Sequence, residues 1–535
     1  MKPHIGLRFV FFLTLISALL HAQDARGKKI PRPLRPMAHA GSSPFDPPQA
    51  TDHLFLVDTG SGLDTGCSFR SEGPLQITIP INRVVGDVNP DGTLKDPQDL
   101  ISRNIVSQYA TLVLPAYDVD FYATPDPPDQ PERDRISLNG NDIGPSGSVA
   151  YLDGDNDIWL LNEFQIPISM IRFGTRTPGS PSTPGMNQIQ IDIDVANIFN
   201  GDEDWCTAVD WAYISFDALA PTIMVHGNNS SGGFFDGTIS SSESVAPGVT
   251  KAFQDNKLQY DNSINMVTDS IAIHSGILGT LIPQKAAEFG AKWIHILAHS
   301  KGGLDTRDFL VNNIPPDLGV LSFTTLSTPH HGSPGADYAM DAVDGTAAFS
   351  DNPARVLMAS IAGTDKGTPN LRTSFVEAFN LANIPMLPTQ FTIDGETNSI
   401  TYQCVSAEAN LDGSVDSSGN PTIQIGETRG TGQGFKPDFA WVRIMQQVYN
   451  LMGNVASTRL ASKTLGICPV CTTIMVVKET PTASFRSNDF LVTQFSAQIN
   501  PFTLLLSTLA NHGTISNPVV GTAVVNSIKS IQPIH

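Results

Sequence analysis

The stretch Trp293-Ile294-His295-Ile296-Leu297-Ala298-His299-Ser300-Lys301-Gly302-Gly303-Leu304-Asp305-Thr306-Arg307 decides the fold. Its first half is a short, β-branched, apolar run of the kind that forms a buried strand. Its second half opens a helix. Ser300 stands at the junction, with small residues at 298, 302 and 303. A G-x-S-x-G pattern at a strand–turn–helix junction holds its serine on a sharp, strained turn. Ala298 occupies the first glycine position and is also small. The turn lifts the serine Oγ above the sheet and aims a helix N-terminus at whatever develops negative charge beside it.

Outward from this junction the chain alternates. Pro221 to Val225 reads as a strand ending at His226-Gly227. Ile282 to Gly290 reads as a helix, Leu304 to Asn312 as another, and Leu321 to Leu326 as a strand. This grammar predicts an α/β fold with a mainly parallel sheet over 219–535. Residues 50–218 read differently. Short alternating runs such as Leu75 to Ile79, Ala110 to Leu114 and Gln188 to Ile193 are separated by Gly, Pro, Asn and Asp turns. They predict a β-sandwich domain. Residues 23–49 are basic and proline-rich, a linker. Residues 1–22 carry Lys2 and Arg8, the apolar run Phe9 to Leu20 and a small residue, Ala22. That is the layout of a secretory signal peptide, and about 12 apolar residues fall short of the roughly 20 that a membrane span needs. A secreted or periplasmic protein is expected.

The chain has 535 residues and a formal net charge of −20. An excess of that sign repels nucleic-acid phosphates and anionic lipid, so no nucleic-acid partner is expected. Of the five cysteines, Cys468 and Cys471 have C-x-x-C spacing, and a disulfide between them or to Cys404 is expected. The acidic turns Asp153 to Asp157 and Asp202 to Asp204 read as solvated rather than metal-binding.

His299 to Arg307 resembles the elbow of bacterial triacylglycerol lipases with its helix and arginine. Thr328-Pro329-His330-His331-Gly332-Ser333 is similar to their T-P-H-x-G-S segment. The resemblance covers roughly 219–535. It implies an α/β-hydrolase fold, a Ser–acid–His triad in that chain order, and no cofactor. Ser300 is then the nucleophile. After His331 only His512 and the terminal His535 remain, which makes His512 the base. Ser487-Asn488-Asp489-Phe490-Leu491-Val492 resembles the family's N-D-G-x-V loop, with Phe490 in the glycine position, and implies Asp489 as the acid. Asp489 lies 23 positions before His512, room for one helix. Asp412, in Leu411-Asp412-Gly413-Ser414-Val415, is the rival. The oxyanion hole needs two N–H donors. One is Lys301, the residue after the nucleophile. The other, by resemblance, is Asn228, with Asn229 as the alternative, while His226 shapes that loop. The family's calcium-binding aspartate has no counterpart here, because Thr514 occupies its position, so no metal is carried over.

By the same resemblance, residues 334–400 are expected to form a lid over an acyl pocket. Leu371, Phe375, Val376, Phe379 and Leu381 there fall near helical spacing, which an amphipathic helix packed on the core would also show. These readings together predict a secreted serine carboxylic-ester hydrolase acting on acylglycerols or other hydrophobic esters, at a lipid–water or polymer surface. Two alternatives are a polyester depolymerase that binds its substrate through the sandwich, and a non-catalytic binding protein on the same scaffold. A triad lying wholly beyond 219 predicts that this part works without the first 218 residues.

Overall fold

The computed structural model describes residues 43–59, 68–122, 130–156, 158–197, 205–237, 247–344, 354–357, 365–409, 439–467, 470–532 and 534. The expected signal peptide, most of the linker, and Asp412 and Cys468 lie outside them.

From Leu54 to Ser215 the strands pair antiparallel in two larger sheets and one separate hairpin, Thr175–Thr177 with Ser180–Thr183. One larger sheet runs through the strands 54–58, 211–215, 109–117, 206–209 and 68–69, with 159–167 against 109–117. The other runs through 75–81, 185–192, 135–138 and 141–142. Alternation sets their packing. In Leu75–Ile81 the residues Ile77, Ile79 and Ile81 are buried while Gln76, Thr78 and Pro80 are exposed. Their buried faces join one apolar cluster with Leu112, Leu114, Ile136 and Ile189.

From Thr222 onward the sheet is parallel. Its order is Tyr260–Asp261, Thr222–Val225, Trp293–His299, Gly319–Leu326, Thr401–Glu408 and Thr503–Leu509, every neighbouring pair parallel. All residues of Trp293–His299 and Gly319–Leu326 are buried, as expected of strands covered on both faces. The two-residue period divides them between two cores. Ile223, Val225, Ile296, Ala298 and Phe323 pack with the helices Ile271–Glu288 and Lys301–Asn312. Met224, Leu297, Leu326 and Val405 pack with Phe253 and with Val520, Val524 and Ile528 of the helix Pro518–Ile531.

Three features depart from the sequence reading. The space between Asp489 and His512 holds the strand Thr503–Leu509, at the edge of the sheet, and no helix. A long hairpin, Val455–Ile467 against Val470–Pro481, stands apart from the main sheet. Cys404 is a free, fully buried thiol beneath the sheet, so the disulfide to Cys404 is corrected; burial pushes its thiol up to about 12. No helix among the described residues is long and apolar enough to cross a membrane.

The second cluster of the parallel sheet includes Val84, and the first is continuous with the antiparallel sheets. The Val84 amide donates to the Phe289 carbonyl at 2.9 Å, and buried Arg83 donates to the Leu219 carbonyl at 2.7 Å. Arg176 pairs with Glu288 at 2.9 Å and with Asp261. Removing residues 1–218 exposes this apolar seam and strips Arg176 from two buried carboxylates. The expected result, against the simpler expectation from sequence, is that a fragment starting at 219 aggregates or melts well below the full chain. Calorimetry of the two proteins checks this; equal melting temperatures and full ester turnover by the fragment would show that the seam is dispensable.

Candidate active site

The strand Trp293–His299 delivers Ser300 to the first turn of the helix Lys301–Asn312 with φ 53° and ψ −130°. A non-glycine residue there costs of order 1–3 kcal/mol and persists only where the surroundings dictate it. They do so through close approach. A Cβ at Gly302 would stand 2.3 Å from the His226 carbonyl oxygen, and one at Gly303 would stand 2.1 Å from Thr328 Oγ1. Neither position accepts a side chain, and this is the physical content of the small residues after the serine. The Ser300 amide donates to the Leu326 carbonyl at 2.9 Å, which ties the turn to the next strand.

His512 lies on the turn after Thr503–Leu509. That turn is closed by Asn511, whose Oδ1 accepts the amides of Gly513 and Thr514 at 2.9 and 2.8 Å. The His512 Nε2 stands 2.8 Å from Ser300 Oγ, and its Nδ1 stands 2.9 Å from Asp489 Oδ2. A carboxylate only accepts, so Nδ1 carries the proton and Nε2 faces the serine hydroxyl as an acceptor. The other carboxylate oxygen, Oδ1, accepts the amides of Leu491 and Val492 at 3.0 and 2.7 Å. The Asp489 carbonyl accepts the His512 amide at 3.1 Å, which joins the two turns through backbone as well.

Asp489 reaches this place by an excursion. The chain leaves the sheet after Glu408, and the Ala409 amide donates to the Asn488 carbonyl at 2.8 Å where the chain returns. Phe490 takes φ 79°, the backbone shape for which glycine is the usual residue. Its ring offsets that strain by packing with Ala354, Val448 and Met452. Buried Asn488 accepts the Phe490 amide at 3.1 Å and donates to the Tyr449 carbonyl at 3.0 Å. The Thr328–Ser333 segment braces the loop: Ser333 Oγ donates to the Leu491 carbonyl, and Ser496 Oγ to the Gly332 carbonyl, both at 2.7 Å.

Asn228 follows the strand Thr222–Val225 on the turn at His226-Gly227. Gly227 lies against Ser300, where a Cβ would stand 2.7 Å from the Cβ of that serine. His226 shapes this loop. Its Nδ1 donates to the Gly227 carbonyl at 2.7 Å and its Nε2 accepts the Met266 amide at 2.9 Å. Burial lowers its pKa, which keeps it in that neutral form. Among the described residues, no acceptor takes the backbone amides of Asn228 or Lys301. The Lys301 side chain is buried, with Nζ 2.6 Å from Asp305 Oδ1.

Two further residues carry weight that the sequence reading did not assign. The His299 ring stacks on Phe234 at 3.8 Å between centroids, and its Nε2 donates to the His512 carbonyl at 3.1 Å. Burial holds its pKa well below the usual histidine range. It therefore supports the His512 turn without placing a cation beside that imidazole. Arg307 is fully buried; it donates to Asn383 at 3.1 Å and Asn380 at 2.9 Å, pinning the helix Thr373–Asn383. Only the steric grammar H-S-x-G-G and a helical arginine hinted at either role.

The region 334–400 contains the helices Pro334–Asp344 and Thr373–Asn383 and the hairpin Gln390–Ile393 with Glu396–Ser399. Leu371 and Val376 are buried, while Phe375, Leu381 and Met386 are exposed.

No family model matches the chain. A stretch of 48 residues is 48% identical to triacylglycerol lipase 2 of Saccharomyces cerevisiae; it covers 9% of this chain and 15% of the length of that relative. Similar solved structures include a Bacillus licheniformis lipase in its mature form, 15% identical with a TM-score of 0.35, covering 58% of this chain and 91% of the other. A Staphylococcus hyicus lipase is 13% identical with a TM-score of 0.32, covering 58% and 96%. A metagenomic carboxyl esterase is 14% identical with a TM-score of 0.31, covering 58% and 76%.

Proposed function

We propose that this chain is a serine carboxylic-ester hydrolase of the α/β-hydrolase type, of the lipase or esterase kind. One observation carries the reading: Ser300, His512 and Asp489 form an unbroken hydrogen-bonded chain at a strained strand-to-helix turn. A structural serine needs neither the positive φ nor a histidine oriented by a buried carboxylate.

The steps follow from the geometry. Ser300 Oγ attacks the ester carbonyl carbon while its proton passes to His512 Nε2. Asp489 stabilises the imidazolium that forms. The amides of Asn228 and Lys301 receive the oxyanion, where two such donors are worth far more than in water. The tetrahedral intermediate collapses, the alcohol leaves with the proton from Nε2, and an acyl-serine remains. Water then attacks this ester, giving its proton to Nε2, and the carboxylic acid departs as Ser300 recovers the proton.

The substrate class is acylglycerols or other hydrophobic esters, in keeping with the stretch shared with the yeast triacylglycerol lipase. In this reading 334–400 covers the acyl site, residues 1–22 direct export, and the antiparallel sheets and the catalytic part meet near 219. A series of p-nitrophenyl esters of rising acyl length tests it. The expected result is turnover at every length accepted by the pocket, with a preference among them. Absence of turnover across the whole series would overturn the assignment.

A further inference from the structure

The Asn228–Asn229 turn is gripped by a carboxylate far away in sequence. Asn228 Nδ2 donates to both oxygens of Asp365, each at 3.0 Å, and Asn229 Nδ2 donates to Oδ2 as well. The same carboxylate accepts the amides of Gly367 at 2.8 Å and Thr368 at 3.0 Å, so its own backbone is folded around it. Burial pushes the Asp365 carboxyl up, but the bonds from Asn228, Gly367, Thr368 and Asn229 outweigh it and hold it below the usual aspartate value. At neutral pH the group is an anion, with acceptors only.

The fit is close. A Cβ at Gly367 would stand 2.1 Å from Asn228 Oδ1. The segment is anchored beside the turn as well: Asn370 Oδ1 accepts the Ile271 amide at 2.7 Å, and Lys366 pairs with Asp269 at 3.5 Å. Asn229 itself has φ 49°, a shape that its neighbours must maintain. From the other side, Thr268 Oγ1 accepts the Asn229 amide at 3.2 Å and donates to Asn229 Oδ1 at 2.9 Å. Thr268 lies in the segment that holds His274, whose Nε2 is 2.9 Å from the Val267 carbonyl. His274 Nδ1 pairs with Asp305 at 2.8 Å, and Asp305 binds Lys301 Nζ. A path of polar side chains, completed by the main chain at Val267 and Thr268, thus links the two residues whose amides would hold the oxyanion.

We propose that Asp365 is a positioning residue for ester hydrolysis, holding the 228–229 turn so that the Asn228 amide converges with that of Lys301 on the developing oxyanion. This rests on the ester-hydrolase reading. Loss of the grip displaces one donor, a change felt in the transition state and little in substrate binding.

The test uses the full chain, a soluble p-nitrophenyl ester, and a trifluoromethyl ketone, which adds to the serine as a stable oxyanion. Asp365→Ala is expected to lower kcat about 10- to 100-fold with KM within about twofold. Inhibition by the ketone is expected to weaken by the same factor as kcat. Asp365→Asn retains an acceptor for Asn228 and is expected to recover most of the loss. Gly367→Ala, which pushes on the turn instead of releasing it, should lower kcat and ketone affinity together. It also carries the test if Asp365→Ala fails to fold. The proposal is overturned if kcat and ketone affinity hold while only melting temperature falls, or if KM alone rises. A wild-type protein without esterase activity would instead remove the reading beneath it, so the two failures are distinguishable.

Discussion

An Asp489→Asn variant is expected to hydrolyse a soluble ester with kcat about 10³- to 10⁴-fold below the native protein. The cause is tautomer control. Asp489 Oδ1 is committed to the amides of Leu491 and Val492, and only Oδ2 faces His512. An asparagine in the same loop keeps its oxygen on those two amides and turns its NH2 toward Nδ1. The imidazole then accepts at Nδ1 and carries its proton on Nε2, where it cannot take one from Ser300. Shape is conserved, so KM and melting temperature should change little. Asp412→Asn is expected to run near the native rate. Stopped-flow or steady-state rates of both variants on one ester check this; a healthy Asp489→Asn enzyme would mean that His512 is oriented by something else.

The parts of the site legible in the sequence are those whose constraint is local. The elbow shows itself because a strained serine turn excludes side chains at Gly302 and Gly303, and exclusion leaves small residues as its trace. His512 emerges because few histidines follow the elbow. The Asp489 loop is readable in spite of Phe490, where the backbone keeps the glycine-like φ and pays for it with an aromatic buried among Val448 and Met452. The strand Thr503–Leu509 escaped because spacing alone says how far apart two residues are, without saying whether a helix or an edge strand fills the gap. Asp412 competes because Asp412-Gly413-Ser414-Val415 fits the D-G-x-V pattern more closely than the loop with Phe490 does. The grip of Asp365 on Asn228 was invisible for a plainer reason. Its two ends are brought together by tertiary packing, and no periodicity connects them.

The same logic governs Cys404. It sits in a strand buried on both faces from Cys404 to Ala407, and a thiol there behaves as a small apolar side chain, free among the described residues. The seam around Val84 and Arg83 was hidden as well. Sequence grammar changes sharply near 219, yet the apolar cluster runs through the boundary without a break.

Ser300→Ala is expected to have the largest effect of any single substitution, a fall in kcat of roughly 10⁶-fold on a soluble ester. Without Oγ, His512 has no nucleophile to activate, and only the amides of the oxyanion site and substrate binding remain. The small side chain relieves no packing constraint, so the variant should fold with a melting temperature close to the native one. A serine made nucleophilic in this way also reacts with a fluorophosphonate, whose phosphorus accepts Oγ as fluoride leaves. Peptide mass spectrometry of the labelled chain tests the central claim most directly. The account predicts one adduct, on Ser300, absent from Ser300→Ala and strongly slowed in Asp489→Asn. An unlabelled native protein, or an adduct on any other residue, would contradict it.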